Sequence, residues 1–185
     1  FKKWFAEAEK SEINDPNAFS VATSSSKGIP SVRMVLLKGL SDKGFVFYTN
    51  FNSKKGSDLK NNPHASICFH WKSLRRQVRV SGKVSEVDKE EADKYFSSRD
   101  YGSKIAAWAS SQSQVMHSRN DFLKKIKEFE KKFTDKDNVT RPPHWSGWRV
   151  HPEQIEFWLE IKNRSHQRLN YVLREGNWVK EILYP

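Results

Sequence analysis

The feature that most constrains this fold is a succession of short, strand-like segments between Ala18 and Val87, each separated from the next by turn residues. Residues 19–23 and 32–37 flank Ser26-Lys27-Gly28, which is the pattern of a β-hairpin. After a second turn, Asp42-Lys43-Gly44, three more strands are predicted at residues 45–49, 65–71 and 77–87. Because strands joined by short loops pair antiparallel, the sequence predicts a meandering sheet that curls into a barrel.

Helices are predicted on either side of these strands. Phe1, Trp4, Phe5 and Ala8 have helical spacing, and Asn14-Asp15-Pro16 ends that helix. Two further helices are predicted after residue 87. The first begins at Asp88 and directs Ala92, Tyr95 and Phe96 inward. The second has a capping-box pattern at Ser118 and Asp121, and its apolar face comprises Phe122, Ile126, Phe129 and Phe133. Strands resume at residues 148–150, 155–161, 169–173 and 178–183. The predicted fold class is therefore mainly β with flanking helices (α+β), in one domain spanning residues 1–185.

Composition narrows the classes of function. Lysine and arginine number 33 against 22 acidic residues, a net charge of +11, which indicates an anionic partner. The aromatic content of 13% excludes a disordered polyelectrolyte. No apolar run approaches the ~20 residues that cross a bilayer, so a cytoplasmic protein without a membrane partner is expected. The chain starts at Phe1 without Met, and an N-terminal arm is expected to be missing.

Several common chemistries lack their sequence signals. The six histidines form no HxH or HxxxH pair, so no metal site is expected, and the single cysteine, Cys68, cannot form an internal disulfide. The motifs GxGxxG, GxxxxGK[ST] and GxSxG are all absent, which removes the sequence argument for Rossmann, P-loop and α/β-hydrolase chemistry.

The cations favour two separate anion sites. Arg33 and Lys38 are five positions apart in one predicted strand, so their side chains would point to opposite faces. A single phosphate clamp is therefore disfavoured. Farther along, Ser53 can cap a helix whose first turn holds Lys54 and Lys55, and an anion at that helix start would offset the repulsion from the helix dipole.

Three other donor groups stand out, each with a plain polar surface as the alternative. Gln77 lies between Arg75 and Arg79 on one predicted strand face, where an amide can meet the edge of a heteroaromatic ring. The second group comprises Tyr95, Arg99 and Ser103, which follow one another at intervals of four residues. This spacing places them on one flank of a predicted helix, where they could bind one phosphate together. The third alternates along a predicted extended strand and comprises Arg164, His166 and Arg168.

Six fragments, in this order between Trp4 and Pro185, resemble the pyridoxine (pyridoxamine) 5′-phosphate oxidase family: residues 33–39, 47–50, 76–80, 95–99, 112–113 and 156–158. The resemblance implies a split β-barrel homodimer that binds FMN at the subunit interface, with residues 145–185 completing the barrel and the active site. It also implies oxidation of pyridoxine or pyridoxamine 5′-phosphate to pyridoxal 5′-phosphate in vitamin B6 metabolism, with O₂ as electron acceptor and H₂O₂ as product.

The resemblance also implies roles for individual residues. Those it assigns to FMN are Arg33, Met34, Val35, Leu36, Leu37, Lys38, Tyr48, Thr49, Lys54, Lys55, Gln77, Gln112, Ser113, Trp158 and Arg168. Those it assigns to the substrate phosphate are Lys38, Tyr95, Arg99 and Ser103. Arg164 and His166 would be catalytic residues over the pyridine ring, with Asp15 near it, and neither is assigned as an obligatory base.

Two other functions stay open at this point. Ser165 and Gln167 stand where the family usually has leucine and aspartate, which leaves room for a phenazine-pathway type of flavin oxidase or a non-catalytic carrier of FMN or pyridoxal phosphate. A nucleic-acid-binding barrel would use the positive charge differently, because it would gather cations and aromatics on one sheet face. The cations here are scattered over helices and strands, so no nucleic-acid partner is expected.

Overall fold

The computed structural model describes residues 1–185, in which runs of strands are separated by single or consecutive helices. The helices are α1 (Lys2–Ser11), α2 (Lys54–Asn61), α3 (Lys89–Ser97), α4 (Tyr101–Ala109) and α5 (Arg119–Lys132), with a 3₁₀ turn at Lys162–Arg164. The strands are β1 (Ala18–Ser24), β2 (Pro30–Leu36), β3 (Gly39–Ser41), β4 (Gly44–Asn50), β5 (His64–Trp71), β6 (Arg76–Glu86), β7 (Trp145–Leu159), β8 (Gln167–Arg174) and β9 (Asn177–Leu183).

The strands form one sheet in the order β2-β1-β5-β6-β7-β4-β3, with β8 paired to β7 and β9 paired to β8. The pairs β1–β2, β1–β5, β3–β4, β5–β6, β7–β8 and β8–β9 are antiparallel. The β1–β2 hairpin has Thr23 opposite Ser31, and Gly28 in its turn has φ +77°. Such a turn needs a residue without a Cβ penalty at positive φ. The predicted mainly β, hairpin-rich architecture is confirmed.

The chain forms two compact units, which are described separately. The first comprises Phe1–Phe47, Asp58–Ser85 and Arg149–Pro185. Its core is aromatic: alternate residues of β5 are buried, and Phe69 packs its ring 4.9 Å from that of Phe19. Period-two burial of this kind follows from the alternation of side chains along a strand.

The second unit comprises Tyr48–Ser57 and Glu86–Trp148. Its core includes Phe96, Ile105, Val139 and Trp145, and the predicted apolar face of α5 packs on it through Ile126, Phe129 and Phe133. The cap predicted for α5 is confirmed, since Ser118 Oγ accepts a hydrogen bond from the backbone N–H of Asp121 at 3.2 Å. One domain over residues 1–185 stays a prediction.

Three elements differ from the sequence prediction. Residues 148–150 and 155–161 were expected as two strands, but β7 is one strand of fifteen residues that continues through Pro152. Helix α4 and the short strand β3 were not predicted. Asp100 begins α4, because its carboxylate accepts from the backbone N–H of Ser103 at 2.8 Å, and this cap outweighs the weak helix propensity of Gly102.

Gly82 of β6 explains how β7 continues past Pro152. A Cβ at position 82 would lie 1.9 Å from the backbone oxygen of His151 and 2.9 Å from the nitrogen of Glu153. Because these are backbone atoms, Gly82→Ala should destabilise the protein by about 2 kcal/mol and lower its melting temperature by about 4–8 °C. Gly102→Ala is the control, since its Cβ would meet only Asp100 Oδ1 at 3.4 Å. Equal thermal melting of Gly82→Ala and the unsubstituted protein would contradict this account.

Candidate active site

In the second unit, the start of α2 holds a buried cation. Ser53 Oγ accepts from the backbone N–H of Gly56 at 3.3 Å, which is the predicted cap. Lys55 is 8% exposed, and its Nζ donates to Thr49 Oγ1 and Gln112 Oε1, both at 3.0 Å. The structure thus brings together three of the residues assigned to cofactor binding. An ammonium group at a helix start, beside hydroxyl and amide groups, suits an anion with several acceptor oxygens.

A second cation in the same unit lies over an aromatic stack. The rings of Tyr48 and Tyr95 stack at 4.0 Å, and the Tyr48 ring stacks on Trp145 at 5.2 Å. The guanidinium carbon of Arg99 lies 4.8 Å from the centroid of Trp145. Burial lowers the pKa of Arg99, and its Nη1 is buried without a hydrogen-bond partner. Buried donors are almost always paired, so this orphaned group points to an oxygen-bearing ligand.

The predicted helical flank of Tyr95, Arg99 and Ser103 is wrong, although Tyr95 and Arg99 both contact the same stack. Helix α3 ends at Ser97, and Arg99 lies between it and α4, which contains Ser103. The cause is again the Asp100 cap, which starts a new helix inside the four-residue spacing.

Two residues that the sequence analysis missed shape this stack. The indole of Trp145 stacks on the Tyr48 ring and makes a cation–π contact with Arg99. A Cβ at Gly147 would lie 2.8 Å from Tyr48 Cε1, so only glycine leaves room for the phenol ring. The available signal was the sequence His144-Trp145-Ser146-Gly147-Trp148, in which glycine lies between two buried indoles.

In the first unit, Arg33 belongs to a hydrogen-bonded network with Asp58. Its guanidinium donates to Thr23 Oγ1 at 2.8 Å and to the Ser31 hydroxyl, and both hydroxyls donate to Asp58 Oδ2. Burial lowers the pKa of Arg33, and Asp58 acts in the opposite direction. Because β2 ends at Leu36, Lys38 lies beyond the strand, so the prediction that one strand sends Arg33 and Lys38 to opposite faces is wrong.

The remaining predicted residues of β2 alternate in exposure. Arg33 and Val35 are half-buried, whereas Met34 and Leu36 are exposed, and Leu37 just after the strand is buried. Exposed apolar side chains along a strand at the end of the sheet order are typical of a surface that another chain covers.

Glu156 on β7 holds two arginines of the first unit. It is 3% exposed and pairs with Arg168 in a bidentate manner, with Nε–Oε1 at 2.9 Å and Nη2–Oε2 at 3.1 Å. Arg79 of β6 also donates to Oε2. Burial alone would raise the pKa of Glu156, but the hydrogen bonds from Arg168 and Arg79 lower it below its ordinary value. This role of Glu156 was missed, because a single acidic residue in a strand carries no signal of burial.

The loop before β8 differs from its predicted form. Arg164 has φ +60° within the 3₁₀ turn, so Arg164, His166 and Arg168 do not alternate along one extended strand. His166 lies with its ring 4.6 Å from that of Trp158, and its Nδ1 accepts from the backbone N–H of Ile161 at 3.2 Å. The structure therefore brings His166 and Trp158 together in this unit.

The predicted row of Arg75, Gln77 and Arg79 on one strand face is only partly present. Gln77 is half-buried on β6, and Arg79 follows two positions later on the same strand. Arg75 lies in the preceding turn with φ +52° and does not share their face. Ser113 follows Gln112 in an exposed loop of the second unit, and Lys54 is exposed at the first position of α2. Asp15 has φ +44° in the turn after α1.

Comparison with known protein families gives matches over most of the chain. A family model described as pyridoxamine 5′-phosphate oxidase matches residues 5–133, and one described as the pyridoxine 5′-phosphate oxidase C-terminal dimerisation region matches residues 145–185. The pyridoxine/pyridoxamine 5′-phosphate oxidase of Pelagibacter ubique is 56% identical over all of this chain and 89% of its own length. That of Sphingopyxis alaskensis is 51% identical over all of this chain and 85% of its own length.

Solved structures agree with these matches. PhzG from Burkholderia lata 383, in complex with tetrahydrophenazine-1-carboxylic acid, has a TM-score of 0.93 and 29% identity, covering 100% of this chain and 90% of its own. An FMN-binding protein from Nostoc punctiforme shares the fold, with a TM-score of 0.78 and 16% identity, covering 100% of this chain and 95% of its own. The predicted mainly β, split-barrel fold class is confirmed. None of the helices combines the length and apolar character needed to span a membrane.

Proposed function

This chain belongs to the pyridoxamine 5′-phosphate oxidase family, and we propose that it oxidises pyridoxine 5′-phosphate or pyridoxamine 5′-phosphate to pyridoxal 5′-phosphate with FMN and O₂, releasing H₂O₂. The observation that carries the proposal is the buried, unpartnered Nη1 of Arg99 in the unit that also holds Lys55 at a helix start. Two phosphate monoesters, one on the cofactor and one on the substrate, would use two such cations.

The cofactor side of the proposed site follows the residue roles that the family resemblance implies. Lys54, Lys55 and Arg33 would meet the FMN phosphate, with Tyr48 and Thr49 beside it. The rest of the flavin would be lined by residues 34–38 and by Gln77, Gln112, Ser113, Trp158 and Arg168. Hydride acceptance from the substrate's 4′ carbon and the return of electrons to O₂ are chemistry that the flavin supplies when bound.

The substrate side would use binding energy for alignment. Lys38, Tyr95, Arg99 and Ser103 would hold the substrate phosphate, a group remote from the reacting carbon. Energy from such a remote contact can orient the 4′ carbon and raise the rate of the chemical step.

Arg164 and His166 would orient the pyridine ring. His166 Nδ1 already accepts a hydrogen bond from Ile161, so a neutral imidazole carries its proton on Nε2 and presents that atom as a donor. A guanidinium and this N–H are both donors, which suits the oxygen of the hydroxyl group attached to the pyridine ring of a B6 vitamer.

We further propose a homodimer, with residues 1–185 acting as one domain and residues 145–185 completing the barrel and the active site. The support is the dimerisation region matched at residues 145–185 and the exposed apolar residues Met34, Trp178 and Ile182. A surface of this kind gains stability when a second copy covers it. A cytoplasmic location is part of the same proposal.

A phenazine-type oxidase is the second candidate, because PhzG superposes with a TM-score of 0.93. The identities of 56% and 51% to pyridoxine/pyridoxamine 5′-phosphate oxidases exceed the 29% to PhzG, which favours the first candidate.

The visible spectrum of the purified protein tests the proposal. FMN-loaded protein should lose its flavin absorbance when pyridoxine 5′-phosphate is added under nitrogen, because the substrate's electrons reduce the ring. Admission of air should restore the absorbance with one H₂O₂ per pyridoxal 5′-phosphate. Bound FMN that no B6 phosphate bleaches would indicate a carrier, and bleaching only by a reduced phenazine carboxylate would indicate the second candidate.

A further inference from the structure

Trp145 contacts residues of both groups that the proposed function assigns to separate phosphates. Its indole stacks on Tyr48, a residue of the cofactor group, at an interplanar angle of 9°. It also stacks on Tyr95, a residue of the substrate group, with centroids 6.1 Å apart and an angle of 8°. The Arg99 guanidinium lies over the same indole at 4.8 Å. One buried side chain, 7% exposed, therefore contacts all three.

The contact with Arg99 fixes a flexible cation. An arginine side chain has many rotamers, and the flat face of an indole restricts where the guanidinium plane can lie. The ring of Phe96 adds a second aromatic contact, since the guanidinium carbon lies over it at 5.6 Å from its centroid. No hydrogen bond holds Nη1, so ring contacts rather than polar partners keep that part of the group in place.

Trp145 is itself held from two sides. Its backbone oxygen accepts from Arg141 Nη1 at 2.6 Å, and Arg141 Nε is paired with Asp93 of α3 at 2.6 Å. Gly147 admits the Tyr48 ring against the other members of the stack. The indole is thus a fixed platform, whereas the guanidinium it carries has an unused donor.

We propose that Trp145 is a positioning residue that aims the free donor of Arg99 at the substrate's phosphate. The inference rests on the proposed function, and it adds the residue that makes the site selective for phosphorylated B6 vitamers over unphosphorylated ones. Trp145 touches no reacting atom; it acts only through Arg99.

The test compares Trp145→Leu with a matched control, Trp148→Leu. Trp148 is also a buried indole of the second unit, 3% exposed, but it stacks on Phe51 at 4.7 Å. Both variants lose a buried indole from the same unit, so the comparison controls for the general loss of stability that follows from removing an indole. Each FMN-loaded protein is assayed for kcat/KM with pyridoxine 5′-phosphate and with pyridoxine, and for binding of pyridoxal 5′-phosphate and pyridoxal by equilibrium dialysis.

In Trp145→Leu, kcat/KM for the phosphorylated substrate should fall about 10- to 30-fold more than kcat/KM for pyridoxine, since desolvated cation–π contacts reach about 2 kcal/mol. Trp148→Leu should change both substrates by the same factor. Trp145→Phe, which keeps an aromatic face, should recover most of the selectivity and serves if the leucine variant does not fold. In an Arg99→Met background, Trp145→Leu should no longer alter selectivity.

Two results would overturn the proposal. One is an equal loss for both substrates in Trp145→Leu, which would leave Trp145 a purely structural role. The other is a loss of FMN affinity larger than the loss of pyridoxal 5′-phosphate binding, which would assign Arg99 to the cofactor phosphate. A protein that binds pyridoxal 5′-phosphate selectively through Trp145 without oxidising pyridoxine 5′-phosphate would contradict the proposed function and still support this inference.

Discussion

Replacing Arg99 with methionine should lower kcat/KM for pyridoxine 5′-phosphate by about 100- to 1,000-fold. The expected loss is about 3–4 kcal/mol, since a hydrogen bond to a charged group contributes about 1.5–3 kcal/mol and an arginine can donate two to one phosphate. Nη1 of Arg99 is buried and free for such a bond, and methionine has the length to cover the Trp145 ring without leaving a large void. Steady-state kinetics on the FMN-loaded protein measures the change.

Three controls separate phosphate recognition from general damage. The kcat/KM for unphosphorylated pyridoxine should change by less than about twofold, because that substrate has no phosphate for Arg99 to bind. Arg99→Lys should lose an intermediate amount, since it keeps the charge without the two-pronged geometry. Arg174→Met removes an arginine paired with Glu181 and should leave both substrates unaffected. Similar losses for phosphorylated and unphosphorylated substrates in Arg99→Met would show that Arg99 does not bind the phosphate.

Local patterns predicted those elements whose signals lie within a few residues. The cap at Ser118, the helix start after Ser53 and the hairpin around Gly28 each depend on neighbours in the sequence, and all are present. The break expected at Pro152 is absent because Gly82, seventy positions earlier, lets β6 approach the backbone there. A contact between residues so far apart in the sequence leaves no local pattern. The sequence around a proline therefore does not show whether a strand continues through the proline or ends at it.

The site shows the same division between local and distant contacts. Spacing suggested two anion positions, but its premise was wrong, because β2 ends at Leu36 and does not include Lys38. Two anion positions stay a prediction, for which the structure offers two cations, the buried Lys55 and Arg99 with its orphaned donor. The partners of these cations could not be read from spacing, since Thr49 and Gln112 are 63 positions apart. Their grouping came from the family resemblance. Trp145 and Glu156 were missed because a single aromatic or acidic residue in a strand gives no information on the distant arginine that it contacts.

Replacing Glu156 with glutamine should destabilise the protein by about 2–4 kcal/mol. The change leaves two arginines facing an amide that accepts with only one atom, and hydrogen bonds to charged groups contribute about 1.5–3 kcal/mol each. The loss should stay below the upper range for broken buried pairs, because Arg79 is about half-exposed and can reach water. Denaturant unfolding followed by circular dichroism measures it, and the melting temperature should fall by about 5–12 °C. Glu153→Gln, on the same strand, should stay within about 0.5 kcal/mol.

The pH dependence of this difference tests its electrostatic origin. Because the pKa of Glu156 in the folded protein lies below its ordinary value of 4.5, the ion pairs stabilise the fold fully above that value. The stabilisation is lost as pH falls through the folded-state pKa, since protonation removes the charge that Arg79 and Arg168 share. The stability gap between the unsubstituted protein and Glu156→Gln should therefore be constant from pH 8 to about pH 5 and narrow below about pH 4.5. A gap that already closes between pH 7 and pH 6 would mean that burial, rather than the two arginines, dominates the pKa of Glu156.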